Sequence, residues 1–137
     1  MSQDGPSSAA QLWHSEAVKR FPDLKEELAA AESPYEFWTD LLLEFENAYD
    51  SDKRDRIAAI YDYARWCLAQ PRSATAQDDL PTCVSVCFVE HIPDHPKALQ
   101  DMPRWWSIGE VRKIEALLRY HAGAEGYARI LEQFGVK

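Results

Sequence analysis

Residues 79–91, Asp-Leu-Pro-Thr-Cys-Val-Ser-Val-Cys-Phe-Val-Glu-His, form the stretch that decides the fold. Their apolar run contains three valines and is compatible with either a buried strand or a buried helix. Asp79 and Pro81 are residues that commonly open a helix. The sequence contains no second strand-like segment to pair with the run, and a lone strand would leave its backbone groups unsatisfied. We therefore predict a helix over 81–91 and expect it to be the central, most buried one, because it is apolar on nearly every side.

The flanking sequence has helical periodicity almost throughout. Two N-terminal signals resemble capping boxes, Ser33-Pro34-Tyr35-Glu36 and Ser107-Ile108-Gly109-Glu110. Three prolines restrict residues 92–106 to a loop with a short helical turn near 97–100. Further helices are predicted over about 9–20, 23–31, 34–49, 52–69, 107–122 and 124–134, with Gly123 separating the last two. The fold class is therefore all-α: a compact bundle of six or seven helices without a sheet, forming one domain over 9–137 after a flexible tail, residues 1–8.

The acidic charge of the chain is concentrated in its first third. The protein has 23 acidic and 15 basic residues and a formal net charge of −8. Residues 1–50 contain 11 acids and 3 bases, whereas residues 51–137 contain 12 of each. This balance disfavours nucleic acid and anionic membranes as ligands, because both attract basic surfaces. A basic protein is the partner that the charge favours.

Two further features bear on the location of the protein. No apolar run approaches the length of a membrane span. The first residues lack both a basic leader and an apolar segment, so no secretory signal is expected. Three cysteines without such a signal favour reduced thiols. The expected location is the cytoplasm, and no cofactor is expected.

The cysteines nevertheless suggest one metal site. Cys83, Cys87 and His91 recur every four residues, so they would follow one face of the helix predicted over 81–91. Together they would extend about 12 Å along the axis, too far for one ion with bonds of roughly 2.0–2.3 Å. We expect the cysteines to be core residues. The alternative is a site made from two neighbouring members of the set, with His95 or Glu90 added from the loop.

A possible polar site follows the same helix. Glu90, His91 and His95 lie where the predicted helix leads into the proline-containing loop, with Asp94 between the histidines. A carboxylate beside an imidazole can perform general acid–base catalysis. No nucleophile motif accompanies these residues, so no residue is predicted to be catalytic.

Two other groups of residues are typical of protein interfaces. Glu36, Asp40 and Glu44 are spaced by four and would form an acidic stripe, at a small cost in helix stability. Such a stripe would suit a basic partner, although a solvated surface is the more frequent explanation. Arg104 and Trp105 lie in an aromatic cluster, and both residue types are enriched in interfaces. Packing of the cluster over the core is the alternative.

Residues 61–106 resemble a family of small uncharacterised bacterial proteins. The resemblance rests on Trp66-Cys67-Leu68, on Asp79-Leu80-x-Thr82-Cys83 and on the run from Glu90 to Pro93. It implies a bacterial, cytoplasmic, helical protein. It implies no activity and no catalytic roles.

The sequence therefore predicts a non-enzymatic protein-interaction module with an acidic face. A specific form would be an immunity protein that neutralises a basic toxin, since complementary charge accelerates association. The alternative is a small metal-dependent or acid–base hydrolase centred on Glu90, His91 and His95. The sequence specifies neither the partner nor the oligomeric state.

Overall fold

The computed structural model describes residues 9–74 and 79–136, with side chains from Leu12 onward. Every regular element within these ranges is a helix, which confirms the all-α prediction. The predicted flexible tail, residues 1–8, lies outside the described residues. The chain forms two compact units, a first unit that ends at Phe88 and a second unit that begins at Val89. The prediction of one domain over 9–137 stays a prediction.

The described residues contain eight α-helices and two 3-10 helices, more than the six or seven helices predicted. The first unit contains α1 (Ala9–Arg20), a 3-10 helix (Pro22–Leu24), α2 (Lys25–Ala30), α3 (Pro34–Asp50), α4 (Arg54–Leu68) and α5 (Leu80–Cys87). The second unit contains a 3-10 helix (Val89–Asp94), α6 (Pro96–Trp105), α7 (Ile108–Lys113) and α8 (Glu115–Gln133). None of the helices in the described ranges has both the length and the apolar character required of a membrane span.

The first unit is built around an aromatic core. Helices α3, α4 and α5 pack against one another, and α1 packs against α4. The Trp38 ring stacks on Tyr63, with centroids 5.4 Å apart. The Tyr63 hydroxyl donates a hydrogen bond of 3.1 Å to the backbone carbonyl of Trp13. Because that hydroxyl is buried, this bond satisfies a polar group that would otherwise destabilise the core.

The decisive stretch is helical, but its helix ends earlier than predicted. Helix α5 stops at Cys87, Phe88 leaves the helical region (φ −127°, ψ −61°), and a 3-10 helix follows. Pro93 has no N–H to donate to the carbonyl four residues earlier, so an α-helix could not continue through it undisturbed. The stretch is also not buried on every side, since Val86 is 40% exposed. The prediction of a continuous central helix over 81–91 was therefore wrong in its length and in its uniform burial.

The N-terminus of α5 is held by a buried carboxylate. Asp79 accepts hydrogen bonds from Arg72 Nε, at 2.8 and 3.1 Å, and from the Thr82 hydroxyl, at 2.8 Å. Burial alone would raise the pKa of Asp79, but the hydrogen bonds from Arg72 and Thr82 outweigh it and hold the pKa below its ordinary value. Asp79 thus joins the loop before α5 to the first turn of the helix.

The second unit contains a ten-residue helix, α6, where only a short turn was predicted. Pro96 occupies the first helical position, where a missing N–H costs nothing. His95 caps this end, because its Nδ1 accepts a hydrogen bond of 3.2 Å from the backbone N–H of Lys97. Pro103 lies close to the C-terminal end, so only the last residues follow it. The prolines of this segment therefore allow a longer helix than the sequence predicted.

The C-terminal part of the second unit is interrupted twice. Ile114 separates α7 from α8, and Gly123 breaks α8 with φ 77°, a backbone conformation that favours glycine. The predicted role of Gly123 as a stop between two helical segments is confirmed. The predicted capping box at the start of α7 is also confirmed, because Ser107 and Glu110 exchange hydrogen bonds of 2.9 and 3.1 Å. At the start of α3, only one of the two capping-box hydrogen bonds forms. The backbone N–H of Glu36 donates to the Ser33 hydroxyl.

Candidate functional sites

One of the three residues of the predicted acidic stripe, Glu44, lies close to a basic side chain. Glu36 is exposed, and Asp40 and Glu44 are half-buried on α3. Arg56 Nε lies 3.8 Å from Glu44 Oε1, and the same guanidinium pairs with Asp23. Glu44 is therefore partly neutralised within the first unit.

Glu36 and Asp40 instead face a groove together with Glu27 of α2. The groove has a volume of about 290 Å³, and its remaining lining residues are Ala30, Ala31 and Thr39. Within the described ranges, no basic side chain forms an ion pair with any of the three carboxylates. We call this feature the acidic groove. Sequence reasoning missed Glu27, because its approach to α3 depends on how α2 and α3 pack.

Arg104 and Trp105 both contact Asp101 on their own helix. Arg104 Nε lies 3.2 Å from Asp101 Oδ1, and Trp105 Nε1 donates a hydrogen bond of 3.1 Å to Asp101 Oδ2. The Arg104 side chain is exposed, and Trp105 is half-buried. These contacts hold the two side chains in place, and their role in partner binding stays a prediction.

Cys83 and Cys87 lie one turn apart on α5, as their spacing predicts. Cys83 is fully buried and Cys87 is half-buried. A hydrogen bond with the Cys87 thiol and burial both raise the pKa of Cys83. Because α5 ends at Cys87, His91 does not continue its helical face, so the predicted alignment of the two cysteines with His91 was wrong.

Of the three residues predicted to form the polar site, Glu90 and His91 lie close together, whereas His95 caps a helix. Glu90 is 9% exposed, and its Oε1 lies 3.6 Å from His91 Nε2. These two residues are therefore close together, as predicted. His95 instead caps α6 through its own ring nitrogen.

Asp94, which the sequence places beside the predicted histidines, and His121, which the prediction did not include, complete a cluster around His91. Asp94 Oδ2 lies 3.3 Å from His91 Nδ1 and 2.9 Å from His121 Nε2. The two imidazole rings meet edge to face, with centroids 4.4 Å apart. We call His91, Asp94 and His121 the His–Asp–His cluster.

The helices of the second unit explain why these residues meet. His91 and Asp94 are three residues apart on a 3-10 helix, in which side chains at that spacing eclipse one another. Helix α8, which carries His121, packs against this 3-10 helix. Buried Ile92 and Leu118 belong to these two elements. Sequence reasoning noticed Asp94 beside the histidines, but nothing local connects them with His121.

A second cleft of the first unit, of about 650 Å³, has mixed charge. It is lined by Asp23, Asp52, Lys53, Arg54, Asp55, Arg56 and Ala59. Arg56 pairs with Asp23, and Arg54 Nε lies 3.3 Å from Asp52 Oδ1. Because its charges compensate one another, this cleft is a weaker candidate for a charged ligand than the acidic groove.

Comparisons with described protein families, curated proteins and solved structures found no match for this chain. The resemblance of residues 61–106 to uncharacterised bacterial proteins stays a prediction.

Proposed function

We propose that the protein is a non-enzymatic interaction module that binds a basic partner protein through the acidic groove. The observation that carries the proposal is the convergence of Glu27, Glu36 and Asp40 on one groove without a basic side chain of the described residues beside them. A lysine or arginine of a partner would supply the missing charge. An immunity protein that neutralises a basic toxin is one specific form of this proposal.

The energetics of α3 favour the same interpretation. Glu36 and Asp40 are four residues apart, and like charges at this spacing destabilise a helix by about 0.2–0.5 kcal/mol. A bound cation would offset that cost. Leu43 lies three residues after Asp40 and is 57% exposed, so it offers apolar contact beside the carboxylates. Interfaces combine an apolar core with a polar rim, and Leu43 close to Asp40 suits that pattern.

The test is a capture experiment followed by kinetics on the purified pair. The whole chain is immobilised, incubated with a lysate of its own host and eluted with salt, and the retained protein is identified. Association rates are then measured for wild type and for a triple variant, Glu27→Lys, Glu36→Lys, Asp40→Lys. We expect the variant to associate at least about tenfold more slowly, because it repels a basic partner, and added salt should no longer slow its association as it slows that of wild type.

The matched control changes the net charge by the same amount elsewhere. Asp62, Glu125 and Glu132 are exposed acids outside the groove, and all three are changed to lysine. We expect this control to keep most of the association rate. Equal losses in both triple variants would contradict the groove hypothesis and leave only a general charge effect.

A small metal-dependent or acid–base hydrolase is the second candidate. It is favoured by the position of the buried Glu90 carboxylate 3.6 Å from His91, whose other nitrogen faces Asp94. Because His95 caps α6, the centre would comprise Glu90, His91, Asp94 and His121. Chromogenic carboxylic and phosphoric esters would be assayed with and without zinc. A rate lost in His91→Ala but kept in the triple groove variant would support the hydrolase, and no rate above buffer would contradict it.

A further inference from the structure

We infer that the His–Asp–His cluster is a binding site for one divalent transition-metal ion of the zinc type. This inference does not depend on the acidic groove, because all the residues involved belong to the second unit. It replaces the cysteine-based metal site that the sequence suggested. It also stands whether or not the protein hydrolyses any substrate.

The ligand atoms are close enough to share an ion. His91, Asp94 and His121 each offer one ligand atom, and these atoms all lie within 4.8 Å of one another. In a tetrahedral zinc site with bonds of about 2.0–2.1 Å, neighbouring ligand atoms are separated by about 3.3 Å. The carboxylate oxygen of Asp94 lies 2.9 and 3.3 Å from ring nitrogens of the two histidines, so these two separations match those of a zinc site.

The surroundings of His91 provide the second, independent argument. Its Nδ1 faces Asp94 Oδ2 at 3.3 Å, and its Nε2 lies 3.6 Å from Glu90 Oε1. A neutral imidazole carries one N–H, so it can donate to only one of two carboxylates. An imidazole that binds a metal ion through Nδ1 keeps its single N–H on Nε2. An ion held by His91 Nδ1 and Asp94 would therefore leave that N–H on the side of Glu90.

Glu90 would then act as an outer partner and not as a ligand. Metal-binding histidines usually donate their second N–H to a carboxylate or carbonyl, which fixes the ring and raises its basicity. Glu90 is suited to this role because it is buried beside His91. It is a positioning residue, since it acts on the ion through His91.

The chemistry of the three ligands selects the class of ion. Two imidazoles and one carboxylate suit zinc and neighbouring transition metals, whereas magnesium and calcium prefer sites made only of oxygen. The two histidine side chains are 30% exposed and Asp94 is 47% exposed, so an ion could enter from solvent. Three protein ligands also leave a position for water.

The first test is titration of the metal-free full chain with zinc chloride by isothermal calorimetry. We expect saturable binding of one ion per chain. We expect His121→Ala to weaken binding by at least about tenfold, because it removes one of three ligands. The matched control is His95→Asn, which removes another imidazole of the second unit and keeps a good helix cap. This control should bind zinc like wild type.

A second pair of variants separates the cluster from the thiols and tests Glu90. Cys87→Ser should leave zinc binding unchanged. Glu90→Gln keeps a hydrogen-bond acceptor beside His91 and should weaken binding by about 10–100-fold. Circular dichroism before and after metal addition would establish that every variant is folded. The visible spectrum of the cobalt-substituted protein should change in His121→Ala and not in His95→Asn.

Three results would overturn the inference. They are absence of saturable zinc binding, equal affinity of wild type and His121→Ala, and loss of binding in Cys87→Ser. None of them would affect the acidic groove, whose test uses a protein partner and variants in the first unit.

Discussion

Substitution of Phe88 is the most direct test of how residues 79–91 pack in the fold. Its fully buried ring contacts three aromatic side chains, with centroid separations of 5.0, 4.8 and 5.7 Å to Trp38, Phe45 and Tyr61. Replacing a buried phenylalanine with alanine removes its transfer free energy and leaves a cavity, at a cost of about 3–5 kcal/mol. Domains of this size are stabilised by about 5–15 kcal/mol, so Phe88→Ala should remove roughly a fifth or more of the stability.

The loss would be measured by urea unfolding followed by far-ultraviolet circular dichroism. With a denaturant slope of about 2 kcal/mol per molar urea, a loss of 4 kcal/mol lowers the midpoint by about 2 M. A slope equal to that of wild type would indicate that the substitution acts on stability alone. The loss is this large only if the surroundings of the ring stay in place, because a site able to collapse would lose much less stability.

Val86→Ala is the matched control, two residues away in the same stretch. Val86 is 40% exposed, so its missing methyl groups would cost only about 1 kcal/mol. The higher helix propensity of alanine would return about half of that. We expect a net change near 0.5 kcal/mol. If Val86→Ala and Phe88→Ala shifted the midpoint equally, the stretch would be buried on all sides, and the structural reasoning would be refuted.

Three further predictions concern caps, charge and thiols. Because the folded-state pKa of Asp79 is lowered, its stabilising effect is present above about pH 4 and lost in acid. Asp79→Asn, which weakens the Arg72 pair, should cost about 1–2 kcal/mol near neutral pH, and the difference in urea midpoint should disappear in acid. Ser107→Ala should cost about 1 kcal/mol in the same assay, and Ser107→Thr should recover most of it. Burial raises the pKa of Cys67 to about 12, whereas Cys87 is half-buried. A thiol reagent should therefore label Cys87 in the folded protein and Cys67 only after unfolding. Rapid labelling of both thiols in the folded protein would contradict this prediction.

The fold class could be predicted because helical signals are local. The Ser107 capping box, the proline that begins α3 and the stop at Gly123 all depend on residues within a few positions of one another. The helix over residues 81–91 was predicted too long for the same reason. Its apolar character extends through Phe88 and Val89, but hydropathy does not register the backbone change at Phe88 or the effect of Pro93.

The candidate sites differ in how many of their residues are close to one another in the sequence. Glu36 and Asp40 share a face of α3 by spacing alone, so the sequence predicts this part of the acidic groove. Glu27 joins them only through packing of α2 against α3. Similarly, Glu90 and His91 are adjacent in the chain, whereas His121 lies 27 residues beyond Asp94. Periodicity places His121 on a helix but gives no information about the segment that this helix contacts.

This difference explains why the cysteines were the more conspicuous metal candidates in the sequence. A repeat of four residues is easy to recognise, but ligands of one ion must converge on a point, and residues on one helix face extend along a line. Convergence requires a second element, which α8 supplies by bringing His121 to Asp94. The buried Glu90 beside His91 gives the cluster an outer partner of the kind that metal-binding histidines use. For this chain, Cys83 lies in the buried core and Cys87 is half-buried, and we expect the metal to bind where the 3-10 helix and α8 meet.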